Sequence, residues 1–406
     1  MLEADALASR FAELGEFLRQ HQGLWRPKPF TSLTLPWEAE HPKLSHWLRG
    51  RSLEEAEAAA LVPVDLLPPG SFAHWAAEAA RLSDPGDLPS QTPPPAAPRL
   101  NRDVPGRKWA QVEAFAAHLA FVEPVEHWLD WCGGKGHLGR RLLQPHQQLT
   151  CLEFDPTLVD AGQALSDHHR LPALHRRQDV MATDTRLAPE ETPVALHACG
   201  DLHVRLLRLA VTHGCRQLAI APCCYNRTGD EGYQPLSRQG QALGLTLDKD
   251  DLGLPANEAV TAGTRERRQR DLSMARRLGF DLLQRHLRGV DEYLPTPSLP
   301  SHWLAESFAD YCRHLARCKN LALDEAIAWQ VWEAMGWSRL AQVRNLERVR
   351  NLFRRPLELW LVLDRALFLA ERGYQVRVGT FCERKLTPRN LLMLAEKGLK
   401  PVDKHV

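Results

Sequence analysis

Asp130-Trp131-Cys132-Gly133-Gly134-Lys135-Gly136-His137-Leu138-Gly139-Arg140 is the stretch on which the reading of this chain turns. It directly follows a short apolar strand, Trp128-Leu129-Asp130. Glycines at such a place let the backbone turn tightly and approach a ligand, and the helix that follows offers its free N–H groups. The spacing is not G-x-x-x-x-G-K-[ST], because Gly136 follows Lys135 and no hydroxyl residue comes next. Gly134, Gly136 and Gly139 do fit G-x-G-x-x-G, which is weak evidence alone because dinucleotide and phosphate sites share it.

The acid four residues ahead of Gly134 narrows the choice. A carboxylate at Asp130 suits a ligand with an amino-acid head group, whose ammonium needs a counter-charge. S-adenosyl-L-methionine is such a ligand. The next strand, Gln148 to Glu153, closes on an acid, and a carboxylate there can accept both ribose hydroxyls of an adenosine. In Gln178-Asp179-Val180, after the third strand, Asp179 is placed to take the adenine amino group. The cofactor set expected from the residues is therefore Asp130, Cys132, Gly133, Gly134, Gly136, Glu153, Asp179 and Val180. An NAD-type dinucleotide unit is the competing reading.

Outward from this centre, strands at 194–197 and 217–221 alternate with helices at 108–121 and 207–213, as in a parallel α/β sheet. The pattern predicts a core helix over 357–370 and a strand over 374–381. Residues 1–85 read as a helical accessory domain, 86–105 as a Pro-rich linker, and 106–406 as the sheet domain with a largely helical insertion at about 227–345.

The chain has 406 residues, 44% hydrophobic and 25% charged, with 51 basic against 50 acidic side chains. That is globular composition, and it excludes polybasic tails and acidic disordered chains. No apolar run reaches the roughly 18–20 residues of a membrane helix. Residues 1–20 mix acids with Arg10 and Arg19, unlike a targeting peptide. Nine cysteines without a C-x-x-C pair argue against a disulfide framework or a finger-type zinc site, so a reducing cytoplasmic setting is expected.

Three motifs together, Asp130-x-Cys-Gly-Gly-Lys-Gly-His-Leu, Leu196-His197-Ala198-Cys199-Gly200-Asp201-Leu202 and Cys223-Cys224-Tyr225, resemble one class I methyltransferase family. Methyltransferase-like eukaryotic proteins and the glutathione S-transferase C-terminal-domain-containing protein belong to it. More distantly the chain is similar to the tRNA 2′-O-methyltransferase of the acceptor stem. The resemblance covers residues 106–230 and about 355–400, the latter through Leu386-Thr387-Pro388-Arg389-Asn390. It implies a Rossmann-like fold with a mostly parallel seven-stranded sheet and an S-adenosyl-L-methionine-dependent methyltransferase.

His197 to Asp201 and Cys223 to Asn226 then fall at the strand ends that face the methyl donor. Asp201 or His197 could orient or deprotonate the acceptor, with Tyr225 and Asn226 positioning it. Alternatively Cys199 with Cys223 or Cys224 could act as in pyrimidine C5-methylation, through thiolate attack on the ring. In a third reading the cysteines are small packing residues. Adjacent cysteines are awkward for closed tetrahedral ligation, so no metal is expected. Thr387-Pro388 reads as a helix start, and the resemblance implies a position near the cleft, where Arg389 or Asn390 could touch substrate.

Of the basic residues 41 are Arg and 10 Lys, clustered over 264–290 and 339–355. Such local charge suits the phosphates of a folded RNA, rRNA or tRNA, with Arg265, Arg268 and Arg276 as candidate contacts beside Arg389 and Asn390. A solvated face with local ion pairs is the bland alternative. A protein or small-molecule methyltransferase, or a non-catalytic RNA- or protein-binding module on the same fold, stands behind the RNA reading.

Overall fold

The computed structural model describes residues 1–61, 68, 70–256, 263–323 and 326–398. Its eight strands are β1 (Leu2–Glu3), β2 (His127–Trp131), β3 (Gln148–Glu153), β4 (Ala173–Arg177), β5 (Glu191–Cys199), β6 (Gln217–Cys223), β7 (Tyr374–Thr380) and β8 (Leu391–Lys397). They form one sheet in the order β1-β7-β8-β6-β5-β2-β3-β4. Strands β2 to β6 run parallel, β8 lies antiparallel between β6 and β7, and β1 pairs antiparallel with β7. The chain steps outward from β2 to β3 and β4, then returns to place β5 on the other side of β2. That reversal opens a crevice at the C-terminal ends of β2 and β5.

The sheet is Rossmann-like and mostly parallel, as the sequence predicts. The count differs by one, because Leu2↔Val378 and Glu3↔Arg377 add a two-residue edge strand. Strands covered on both faces read as near-continuous apolar runs, and every residue of β6 is buried. Helix Arg354–Ala370 is buried from Pro356 to Leu369 without a break. Among its buried residues Asp364 and Arg365 stand out, since buried charges require partners.

The chain divides into two compact units, one of Met1–Arg19, Leu82–Val260 and Arg354–Val406, the other of Gln20–Arg81 and Thr261–Phe353. The accessory region expected over 1–85 is thus shared between them. Its first helix, Asp5–Gln20, presents Leu7, Phe11, Leu14 and Leu18 on one buried stripe, and Phe11 stacks on Trp360 at 5.1 Å. The expected linker is a strap of the sheet unit. Leu88 is buried in its core, Leu88 donates to Thr380 O, and Gln91 donates to Ala117 O. The insertion is also divided. Residues up to 256 stay with the sheet unit, where Asp364 accepts from the Tyr233 hydroxyl and from the amides of Leu236 and Ser237.

In the second unit, helices Thr264–Arg288 and Trp329–Asn351 pack Ala275 and Leu278 against Leu340 and Val343, with Phe30 and Leu53 added from the N-terminal segment. No described helix is long and apolar enough to cross a membrane.

The helix expected from Thr387 is absent. Residues 381–390 form a loop into β8, in which the Thr387 hydroxyl accepts the Arg389 amide at 3.2 Å. A hydroxyl that takes a nearby amide caps a turn as readily as a helix, and the apolar run 391–395 pairs with β6 and β7 instead.

Candidate active site

Strand β2 delivers Asp130 to the crevice floor, 2% exposed. Its Oδ2 accepts the Gly139 amide at 2.9 Å. The carboxylate therefore braces the loop against the helix His137–Leu142, and burial raises its pKa to about 6. Cys132, Gly134 and Gly136 all take left-handed backbone (φ 54°, 59° and 71°). A Cβ on Gly134 would meet nothing within 4 Å, so this glycine leaves open space above the loop. That cradle is the fit expected for S-adenosyl-L-methionine.

Glu153 ends β3 facing the same loop. Its Oε2 accepts Gly134 N–H at 3.0 Å, and its Oε1 accepts the amides of Phe154 and Asp155. A carboxylate has about four acceptor sites, so roughly one remains for a ribose hydroxyl rather than the two expected. Asp179 is exposed after β4 and accepts Met181 N–H, while Val180 is buried beneath it.

His197 and Cys199 lie at a break in the β5–β6 register. His197 has φ 66°, and its Nε2 meets Gln111 Oε1 at 2.8 Å. Gln111 Nε2 donates to Leu386 O, which fixes the amide and makes His197 Nε2 the protonated nitrogen. Burial, then Arg389 and Lys108, lower the His197 pKa to about 4, so the ring is neutral at pH 7 with Nδ1 as its basic atom.

Gly200 and Asp201 clamp the loop after β6. Gly200 N–H donates to Cys223 O, and Asp201 N–H to Arg227 O at 2.9 Å. Asp201 Oδ2 accepts Gly229 N–H at 2.8 Å. A Cβ at Gly200, where φ is 43°, would stand 1.9 Å from Arg227 O, so no side chain fits there.

Beside this clamp opens a cavity of about 230 Å³, lined among others by Gly200, Asp201, Arg205, Tyr225, Tyr233 and Arg365. Arg365 donates to His203 Nε2 at 2.7 Å and lies over the Tyr225 ring, 5.1 Å from its centroid. Tyr225 is 4% exposed, yet its hydroxyl has no partner among the described residues, and neither does Arg205 Nε. Buried polar groups are normally satisfied, so these two donors are exceptions that lie on residues lining the cavity. Asn226 is exposed.

Sequence reasoning missed Gln111, His203 and Arg365. The signal for the last was present, since Asp364-Arg365 interrupts the apolar run of 357–369.

Three sulfurs meet at the ends of β5 and β6. Cys199 Sγ and Cys223 Sγ are 3.5 Å apart, and Cys224 Sγ lies within 4.8 Å of both. Hydrogen bonding from Cys223 lowers the Cys224 thiol, aided by Arg389 and Arg227, while hydrogen bonds to Cys199 and Cys224, together with burial, push Cys223 up.

The arginine clusters have a different destination from the one expected. Arg276, 7% exposed, donates to Trp303 O and Glu306 O. Arg285 binds Asp281 and Thr31 O, Arg339 binds Pro29 O and Ser32 O, and Arg344 binds Asp271. These side chains staple the second unit internally, and Arg276 is not a surface contact. Arg265 and Arg268 remain exposed on the first turns of helix Thr264–Arg288. In the sheet unit Asn390 is buried, accepting from Arg355 and donating to Cys382 O. It is a structural residue rather than a substrate contact. Arg389, half-buried, donates to Ala256 O.

Residues 107–230 match a family model described as a methyltransferase domain. The stretch runs from the helix ahead of β2 through β6 and its clamp. Among solved structures, the chain is similar to a protein described under conversion of a disulfide bond into a thioacetal group during echinomycin biosynthesis (16% identity, 37% of this chain and 58% of that one, TM-score 0.21). It is similar to a mitomycin 7-O-methyltransferase (15%, 43% and 56%, TM-score 0.22) and to a coclaurine N-methyltransferase bound to N-methylheliamine and SAH (12%, 86% and 90%, TM-score 0.26). The match spans less than two thirds of the first two chains.

Proposed function

We propose that this protein is an S-adenosyl-L-methionine-dependent methyltransferase whose acceptor is RNA. The observation that supports it best is the Glu153–Gly134 bond, which sets a carboxylate at the end of β3 over an open glycine loop at the end of β2, within a segment matched to a methyltransferase domain. When bound, the cofactor supplies an electrophilic methyl group. The chain's own residues hold it: the amides of the 132–136 loop, the remaining acceptor site of Glu153, and Asp179 at the adenine edge.

Methyl transfer needs an aligned acceptor and a route for its proton. Tyr225 OH and Arg205 Nε provide unspent donors beside Asp201, and His197 Nδ1 provides a weakly basic nitrogen. The RNA acceptor rests on the motif resemblance and on exposed Arg265 and Arg268; the buried arginines lend it nothing. The 230 Å³ cavity beside the clamp favours a second reading, a small-molecule acceptor.

The test is transfer of labelled methyl from S-adenosyl-L-methionine to total RNA and to a low-mass extract, with nucleoside mass spectrometry of RNA from cells with and without the gene. Label in RNA and one missing methylated nucleoside are expected. Label confined to the low-mass fraction overturns the RNA acceptor, and no S-adenosyl-L-methionine binding overturns the enzyme.

A further inference from the structure

We infer that Cys199, Cys223 and Cys224 form a binding site for a thiophilic d10 cation, Zn²⁺ in the first instance, with three thiolate ligands and one open position. The inference stands on the sulfur geometry and does not require the methyl-transfer reading.

Neighbouring residues of an extended strand project to opposite faces, so Cys223 and Cys224 would ordinarily diverge. They converge because Cys224 takes left-handed backbone at φ 50°. For a residue with a side chain this costs about 1 kcal/mol or more. The third sulfur arrives by a second irregularity, the register break between Leu196 and Cys199 that sets Cys199 opposite Cys223. Two departures from regular strand thus serve one convergence. Thiolates bound at about 2.3 Å in tetrahedral array stand roughly 3.8 Å from one another. The observed 3.5 Å, with all three sulfurs inside 4.8 Å, requires only small adjustment.

The ligand set selects the ion. Three sulfurs without nitrogen or carboxylate favour soft cations over Mg²⁺ or Ca²⁺. Binding displaces to solvent whatever protons the three thiols still carry, three at most, and no electrons move. Zn²⁺ with three thiolates carries one net negative charge, and Arg227 and Arg389 supply positive charge beside Cys224. Cys199 and Cys224 are half-buried, which leaves a path for the ion.

The experiment is metal analysis of the full chain, purified under reducing conditions, loaded with ZnCl₂ and dialysed. About one tightly held zinc per chain is expected, and Cd²⁺ should give a thiolate-to-metal absorption band. Cys199→Ser and Cys224→Ser should each lose the metal at least tenfold, while Cys318→Ser, altering an exposed cysteine of the second unit, retains it. Should the Ser variants fail to fold, alkylation mapping of the unaltered protein decides. Zinc should protect Cys199, Cys223 and Cys224 but not Cys318. Zinc content unchanged in the Ser variants, uniform alkylation with and without zinc, or a Cys199–Cys223 disulfide in a protein without zinc affinity would each overturn the site.

Discussion

Asp130 Oδ2 accepts the backbone N–H of Gly139 at 2.9 Å, across the glycine loop that separates them. The acid that the sequence assigns to a cofactor ammonium is thus first a brace for that loop. Asp130→Asn keeps an acceptor oxygen and should leave the melting temperature near that of the unaltered protein. Asp130→Ala strands a buried amide and should cost about 1–3 kcal/mol in denaturant unfolding. Equal stability of the two variants would sink the bracing role.

Two glycines should separate folding from binding. Gly200→Ala places a methyl on the Arg227 carbonyl and forces a side chain into strained backbone. A loss of about 3 kcal/mol or more, or insoluble expression, is expected. Gly134→Ala carries only the backbone strain, about 1–2 kcal/mol, but its methyl enters the open cradle. Calorimetry should find that chain folded and at least tenfold weaker for S-adenosyl-L-methionine. Undiminished affinity would move the cofactor elsewhere.

Acid should destabilise the protein before most carboxylates titrate. His137, His175 and His197 have pKa values lowered to about 4 by burial, and His203 lies lower still. Their folded values fall below the ordinary 6.5, so the unfolded chain takes up protons first, and stability is lost as pH drops from about 6.5 toward 4. Each proton difference contributes about 1.4 kcal/mol per pH unit. Asp130 opposes this, since its raised pKa lets the folded chain bind a proton first between about 6 and 3.8. Asp281, also raised by burial, acts in the same sense, and four histidines outweigh these two aspartates. Melting temperatures that stay level from pH 6.5 to 4.5 would contradict the assignment.

The arginines should divide by burial. Arg276→Ala removes two carbonyl contacts and should lower stability by about 1–3 kcal/mol. Arg265→Ala with Arg268→Ala should leave unfolding within about 0.5 kcal/mol. If these two touch RNA phosphates, the pair should weaken RNA binding and shallow its salt dependence by roughly two units of slope. An unchanged slope would remove them from the interface.

The centre of the sheet was legible because its signals are local: an acid, a glycine loop and an acid-ended strand lie within residues 130–153. Contacts made far along the chain were not. Nothing near Arg339 in sequence announces that its guanidinium is held by Pro29 O and Ser32 O. The same blindness gave residues 20–81 to a separate domain, although Phe30 and Leu53 complete a core begun by Ala275 and Leu340. At Thr387 the local signal was real but ambiguous, since a hydroxyl and proline open turns and helices alike. Adjacent cysteines are awkward as joint ligands, and nothing in the sequence announces the left-handed backbone by which Cys224 turns its sulfur toward Cys223.

The discontinuity of the second unit has a consequence for how the protein is made. Residues 20–81 leave the ribosome well before residues 261–353, which complete their core. At roughly 5–20 residues per second, the intervening residues 82–260 impose a wait on the order of 10–40 s. Through that interval Trp25, Leu44 and Leu48 have no finished core to enter, and the nascent chain presents them to solvent or to a chaperone. Moving residues 20–81 to follow residue 353 in a rearranged gene would shorten this exposure and should raise the soluble yield of newly made protein.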